Sequence, residues 1–271
     1  MLKRNPLLTS ITITTVLALV LICLITANRA PAAYAAEQQY SMVGKWGSRG
    51  SGFGKFSQPL DVAIDPSGNV YVSDFGNAQN GIQKFTSNGT FITSWGSTGL
   101  GDGQFINPGG IAVDSAGNVY VGDFGENNRI QKFDNNGKFI TKWGTPGTGD
   151  GQFTTPADIV MDKAGNLYVV DAGNDRIQKF DNNGKFITKW GTTGSADGQL
   201  SRPIGIAIDS SGNIYVCDNA NNRIQKFDSN GKFITKWSVD TPGGIAVGPN
   251  GKIYIVNQNS ASMEIYSPVL S

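Results

Sequence analysis

Histidine is absent from the 271 residues. That removes Ser-His-Asp and Cys-His catalysis, together with His-ligated zinc or copper. Cysteine is almost absent. Cys23 lies in an N-terminal apolar stretch, which leaves Cys217 alone in the remaining chain. An exported chain with one thiol has no internal disulfide, so packing has to hold it. Charge is also sparse, at 16% of residues, with 22 basic against 21 acidic side chains and a net charge of +1. Loss of Lys3, Arg4 and Arg29 with the N-terminal stretch would bring the net charge to −2. A nearly neutral chain has no field suited to a nucleic-acid backbone or an anionic membrane.

The N-terminal stretch reads as a targeting segment. Lys3 and Arg4 precede an apolar run over residues 11–25, and Ala33-Tyr34-Ala35 supplies a small-residue cleavage pattern. Residues 1–35 are expected to be a signal peptide and residues 36–271 the folded domain, exported or otherwise extracytoplasmic. The other reading is a retained anchor over residues 11–27, near the lower length limit for a membrane span. Only then would the membrane be a partner.

What the chain has in quantity is repetition. NNRIQKFDNNGKFITKW, starting at Asn127, returns as NDRIQKFDNNGKFITKW from Asn174 and as NNRIQKFDSNGKFITKW from Asn221, with a looser copy at residues 81–95. Each copy reads as a hairpin, with two runs rich in Ile, Phe, Thr and Trp around an Asn-Gly turn. One such hairpin cannot bury its own apolar residues, so the unit of structure is the array. The five tryptophans, Trp46, Trp95, Trp143, Trp190 and Trp237, lie 49, 48, 47 and 47 residues apart. Four strands can be read inside each period: in the second unit they cover residues 111–114, 118–123, 129–133 and 139–143. Four short antiparallel strands per repeat is the composition of a β-propeller blade.

Counting strands sets the expected closure. Residues 40–46 match only the fourth strand of a unit, whereas the last repeat supplies three strands, at residues 244–247, 252–256 and 263–266, and then stops. The expectation is an all-β propeller of five four-stranded antiparallel blades, the fifth completed by an N-terminal strand clasp.

The pattern P-x-G-I-A-V-D-x-x-G-N-V-Y-V-x-D-x-x-N-N-R-I-Q-K-F, carried closely by residues 108–133, resembles the NHL repeat. The resemblance covers essentially all of residues 36–271. The first copy has Gly81 at the Arg position, and the fifth lacks both Asp and Arg. The family is best known for six blades, so five is a departure. The resemblance also brings in enzymes. The peptidyl-amidoglycolate lyase and the streptogramin lyase depend on histidine, which this chain lacks. Gluconolactonase-like and paraoxonase-like propellers use Glu, Asn and Asp around a calcium-type ion. Some cytoplasmic NHL proteins recognise RNA through a basic face, which suits neither export nor near neutrality.

Several residues follow or break the repeat. Asp123 accompanies Arg129, Asp171 accompanies Arg176 and Asp218 accompanies Arg223, while Asn257 and Ser262 replace both partners in the fifth copy. This is the behaviour of a structural ion pair. Asp74, with no Arg, is left for another role. Cys217 stands where other copies have Ser73, Gly122 and Val170, which marks a small core residue. The lysines of the third and fourth strands, including Lys132, Lys142, Lys179, Lys189, Lys226 and Lys236, are evenly spaced and read as solvated rims.

Candidate site residues belong on the face made by the loops entering the first strand and leaving the second. Asp61 and Asp158 stand where three other copies have Gly110, Gly205 and Gly244, and are the candidate metal ligands for a calcium-type ion, no other cofactor being expected. The same carboxylates also suit capping of local backbone amides. The segments GLGDGQF and GTGDGQF carry a weak hint of a calcium turn. Phe53, Phe75 and Phe124 depart from Asp102, Ala172 and Asn219 elsewhere, and Lys55 from Gln104, Gln152 and Gln199. With Glu126 they form the candidate ligand-binding patch, or else a hydrophobic plug beneath the loops. The expected function is an exported, non-enzymatic scaffold that binds a protein, peptide or glycan, with no nucleic acid. The alternative is a metal-dependent hydrolase or lyase acting on a small ester or lactone.

Overall fold

The structure is a computed structural model that describes residues 44–79 and 81–267. A short parallel ladder of β1 (Ser48–Arg49) and β2 (Lys55–Phe56) leads into the first blade, β3 (Gln58–Ile64), β4 (Val70–Phe75), β5 (Ile82–Phe85) and β6 (Phe91–Trp95). The second blade is β7 (Asn107–Val113), β8 (Val119–Phe124), β9 (Arg129–Phe133) and β10 (Phe139–Trp143). The third is β11 (Pro156–Met161), β12 (Leu167–Asp171), β13 (Arg176–Phe180) and β14 (Phe186–Trp190). The fourth is β15 (Pro203–Ile208), β16 (Ile214–Asp218), β17 (Arg223–Phe227) and β18 (Phe233–Ser238). The fifth is β19 (Pro242–Val247), β20 (Ile253–Asn257) and β21 (Ser262–Tyr266). Every blade is an antiparallel sheet with its strands in chain order. The protein is a five-bladed β-propeller, as the strand count implied.

The fifth sheet has three strands among the described residues. Residues 40–43 of the expected closing strand lie outside the described residues, and Gly44, Lys45 and Trp46 carry no strand pairing. The leader expected over residues 1–35 likewise lies outside them. No helix among the described residues is long and apolar enough to cross a membrane.

The innermost strands begin earlier than the sequence suggested. Asn107 and Pro108 pair with Phe124 and Asp123, and the register then shifts before Ile111 pairs with Val121. Alternation is lost across this bulge, and with it the sequence signal for the strand start.

Four apolar cores each join two successive blades. Tyr71 and Ile82 of the first blade, for example, meet Ile111, Val119 and Phe133 of the second. Trp95, Trp143 and Trp190 end their outer strands and lie over the turn of the next blade: Trp95 is 5.8 Å from the Phe133 ring, and a Cβ on Gly137 would lie 2.5 Å from the indole. Gly137, at φ 83°, is therefore required by both conformation and space.

The lysines of the third strands are not solvated rims. Lys84, Lys132 and Lys179 are buried, and each donates to a turn carbonyl of the following blade, of Asn135, Asn182 and Ser229 at 3.0, 3.0 and 3.1 Å. Each ammonium also lies 4.8–5.0 Å from a tyrosine ring centre of its own blade. Even spacing recorded a contact repeated between blades. The fourth-strand lysines do behave as rim residues: Lys142 and Lys189 are exposed and pair with Asp102 and Asp150 at 2.6 Å. The acids of GLGDGQF and GTGDGQF therefore have lysine partners.

Packing changes between the fifth and first blades. Val62 and Ile64 are 58% and 66% exposed, whereas the matching Ile111 is buried and Val113 half-buried. On the fifth blade Val256, Met263 and Ile265 are exposed, whereas Cys217 and Ile224 at two of the matching positions are buried. Ile265 also stands where blades 1 to 3 have the cross-linking lysine and blade 4 has Lys226.

Candidate functional site

The loop face is built on the Asp–Arg pairs expected from the repeat. Arg129, Arg176 and Arg223 lie 3.3, 2.8 and 2.6 Å from Asp123, Asp171 and Asp218, all six buried. The rest of each guanidinium closes the incoming loop: Arg176 donates to the carbonyls of Thr148, Gly149 and Gln152 at 2.6–2.8 Å. These pairs thus tie the loop entering each blade to the ends of its second and third strands. Asp74, expected to be free, is not. It accepts the backbone N–H groups of Ser57 and Gln58 at 2.8–3.0 Å and the Asn77 amide at 2.8 Å. Equivalent backbone and amide donors serve Asp123, Asp171 and Asp218 beside their arginines, and Asp74 is held by this set alone.

The aromatic residues separate into two places. Phe75 and Phe124 end the second strands of adjacent blades and stack at 6.0 Å with ring planes 7° apart. Phe53 instead stacks on Phe91 of the outermost strand at 4.9 Å. Blade 1 thus has Phe53 and Ser94 where blade 2 has the Asp102–Lys142 pair. Lys55 is exposed in β2, where its carbonyl accepts the Gln83 amide at 2.6 Å. Glu126 is exposed in the loop after β8. The structure joins Phe75 to Phe124 and gives Phe53 a different neighbour.

Beside Phe124 a mouth cavity of about 340 Å³ opens, lined also by Leu60, Asp61, Thr155, Asp158 and Gln258. Beyond it runs the central channel, about 360 Å³, walled by Val and Ile of all five innermost strands. Asp61 and Asp158 are the two residues common to both linings, so they form a collar where channel meets mouth. Their carboxylates are fully oriented by backbone. Asp61 accepts the N–H groups of Val62 and Ile111, each at 2.8 Å, and Asp158 those of Ile159 and Ile206 at 2.8 and 2.9 Å. Ile111 and Ile206 belong to the following blades, so each aspartate joins two blades, an extension of the amide-capping role.

Burial raises both acids. Asp158 is pushed up to about 8, first by burial and then by the charge of Asp61. Burial likewise raises Asp61, against the pull of the two amides. Neither has a cationic side-chain partner among the described residues. For a calcium-type ion the fit is thin, because among the described residues no group of three or more His, Cys, Asp or Glu is placed to share an ion, and calcium takes six to eight oxygens. Cys217 is buried beside this collar, and burial raises its thiol far above the usual range. A protonated, inaccessible thiol is a core residue, not a nucleophile.

The NHL repeat pattern matches residues 56–79, 105–133, 153–180 and 200–227. These segments form the first two strands of the first blade and the first three strands of the second, third and fourth. The chain belongs to the NHL-repeat propeller family. No match is found among curated protein sequences. Among solved structures, this NHL propeller is similar to a catalytically inactive variant of virginiamycin B lyase from Staphylococcus aureus with quinupristin. The TM-score is 0.57 at 18% identity, covering 84% of this chain and 72% of the lyase. It is similar to a chain in a nidogen–laminin complex, with a TM-score of 0.59 at 19% identity, covering 78% and 80%. A streptogramin B lyase gives 0.53 at 16% identity, covering 80% and 85%. At these identities the likeness shows a shared fold.

Two features of the NHL propeller's mouth escaped sequence reasoning. Leu60 and Gln258 line the cavity through positions that vary between copies. Leu60 aligns with Gly109, Ala157, Ile204 and Gly243, and Gln258 aligns with Phe75, Phe124, Ala172 and Asn219. The mouth is therefore asymmetric, with Leu60, Phe75 and Phe124 on blades 1 and 2 and Ala172, Asn219 and Gln258 on the other three. The signal that could have found them was the same column-by-column comparison that singled out the phenylalanines.

Proposed function

We propose that this NHL propeller is a binding module that captures a protein or peptide through its loop face, centred on the mouth of the channel. The observation that carries this reading is the stacked Phe75–Phe124 pair beside an open cavity, at a position where the other blades carry smaller or polar residues. Stacked aromatics at the edge of a cavity suit a contact anchor, because they offer large area at low conformational cost. A propeller fold similar to a chain in the nidogen–laminin complex supports binding as a use of this architecture. An exported location, read from the N-terminal charge and apolar pattern, would place such a partner outside the cytoplasm, and a glycan remains within the same proposal.

The reading is tested by cross-linking capture from the extracellular fraction with the wild type and the Phe75→Ala/Phe124→Ala variant. Capture is expected to be lost with little change in melting temperature. A large fall in melting temperature would make the pair part of the core, and unchanged capture would move the contact elsewhere. The second reading, metal-assisted hydrolysis or lysis of a small ester or lactone, rests on the Asp61–Asp158 collar. It is tested by calorimetric titration of calcium into metal-stripped protein. No heat of binding would remove it.

A further inference from the structure

We propose that the mouth cavity receives the cationic tip of a partner side chain, a guanidinium or ammonium group carried on an apolar stem. This rests on the binding-module reading and names the chemistry of the same site. The cavity is the primary observation. Its volume of about 340 Å³ suits a side chain, its wall presents Leu60 and the Phe124 ring, and no lysine or arginine lines it. The side of the Phe124 ring stacked on Phe75 is taken, and an aromatic face in a cavity is attractive to an alkyl stem and to a cation.

The floor decides the sign of the ligand. Asp61 and Asp158 converge on it with every carboxylate oxygen already holding one backbone N–H, which leaves further lone pairs on oxygens that cannot swing away. Among the buried acids of the second strands, Asp123, Asp171 and Asp218 each face an arginine, and Asp74 accepts from Ser57, Gln58 and Asn77. The collar acids have each other instead, and mutual repulsion at a half-buried site is relieved by a cation or by a proton. A guanidinium donates in a planar fork that can reach two carboxylates, and an ammonium donates three ways. An anion or a neutral polar group gains nothing from this floor.

Proton linkage follows from the same geometry. The groups facing Asp158 are Asp61 from β3 and Cys217 from β16, the thiol being neutral, so Asp158 carries a proton near neutral pH that an arriving cation displaces. Capture of a cation at pH 7 should release a proton.

The test uses n-butylguanidinium and its neutral counterpart n-butylurea as probes of the wild-type protein, by calorimetric titration in two buffers of different ionisation enthalpy. The expected result is saturable guanidinium binding at least tenfold tighter than urea, with proton release at pH 7 and tighter binding at pH 8.5 than at pH 6. Asp61→Asn should reduce guanidinium affinity at least tenfold while leaving urea unchanged, with circular dichroism confirming the fold. Equal binding of the two probes would overturn the inference, as would guanidinium binding that is insensitive to pH. Competition by millimolar calcium that removes all guanidinium binding would overturn it in favour of a metal site. If neither probe binds while partner capture still depends on Phe75 and Phe124, the cationic inference fails and the binding-module reading stands.

Discussion

The Asp61 carboxylate accepts the backbone N–H of Ile111 from the neighbouring blade at 2.8 Å. Asp158 repeats the arrangement two blades on, with Ile206 at 2.9 Å. Between them the same position is Gly110, where a Cβ would lie 2.5 Å from the Asp158 Cα. Gly110 and Gly205 have a steric reason, because a Cβ at either would meet the backbone of the following blade at 2.4–2.5 Å, whereas at Gly244 the nearest atom would be 3.8 Å away. The collar is structural before it is anything else, and its charge is a by-product that a ligand can use.

The half-buried collar makes stability depend on pH. Asp158 has a folded value of about 8 against an ordinary 3.8, so the folded state holds a proton that the unfolded state has released. Stability from this group is fully present below the unfolded value and falls as pH rises from about 4 to about 8. Acids with lowered values, such as Asp162 and Asp209, act in the opposite direction below this window. Urea midpoints of the wild type should therefore decline between pH 5 and pH 8, and the decline should flatten in Asp158→Asn. An equal slope in both would contradict the assignment.

Arg176 holds one carboxylate and three carbonyls in a buried setting. Arg176→Met leaves the buried Asp171 with the Thr154 N–H and the Asn174 and Gln178 amides as donors but no cationic partner, and should cost about 3–5 kcal/mol. Chemical denaturation reads this directly. A loss below about 1 kcal/mol would mean that the loop finds other partners.

Lysines at two positions of one blade should behave differently. Lys132→Met removes the bond to the Asn182 carbonyl and the contact with Tyr120, at a cost of about 1–3 kcal/mol. Lys142→Met removes an exposed pair with Asp102 and should cost under about 1 kcal/mol. Equal costs would contradict the distinction between a cross-link and a rim pair.

The fifth and fourth blades offer a matched comparison. Ile224 is fully buried and Met263, at the equivalent position, is 59% exposed. Ile224→Ala should cost about 2–5 kcal/mol, while Met263→Ala should stay within about 0.5 kcal/mol. Thermal or urea melts of the two variants suffice. A large cost at Met263 would show that this face is covered in solution.

The sequence exposed what repetition encodes. The tryptophan period, the four strands and the Asp–Arg pairs recur in every strong copy, and each is fixed by contacts within a blade or with its immediate neighbour. The phenylalanines and collar aspartates were visible as departures from the repeat. Their grouping was not. Phe75 and Phe124 lie 49 residues apart in the chain yet stack at 6.0 Å, whereas Phe53, nearer to Phe75 in sequence, faces Phe91. The lysine period was equally plain, but a buried cross-link and an exposed rim residue have the same spacing along a strand.

By itself the sequence determined the all-β class, the blade count and the identity of the structural ion pairs, because alternation, turn chemistry and co-occurring charges act over one repeat. The tertiary structure decided which departures share a surface, that Asp61 and Asp158 meet at the junction of channel and mouth, and that both are raised by burial and Asp158 further by the charge of Asp61. Those properties depend on how blades are arranged around the channel. Distance and desolvation between non-adjacent blades are set by the ring, and no local pattern in the chain records them.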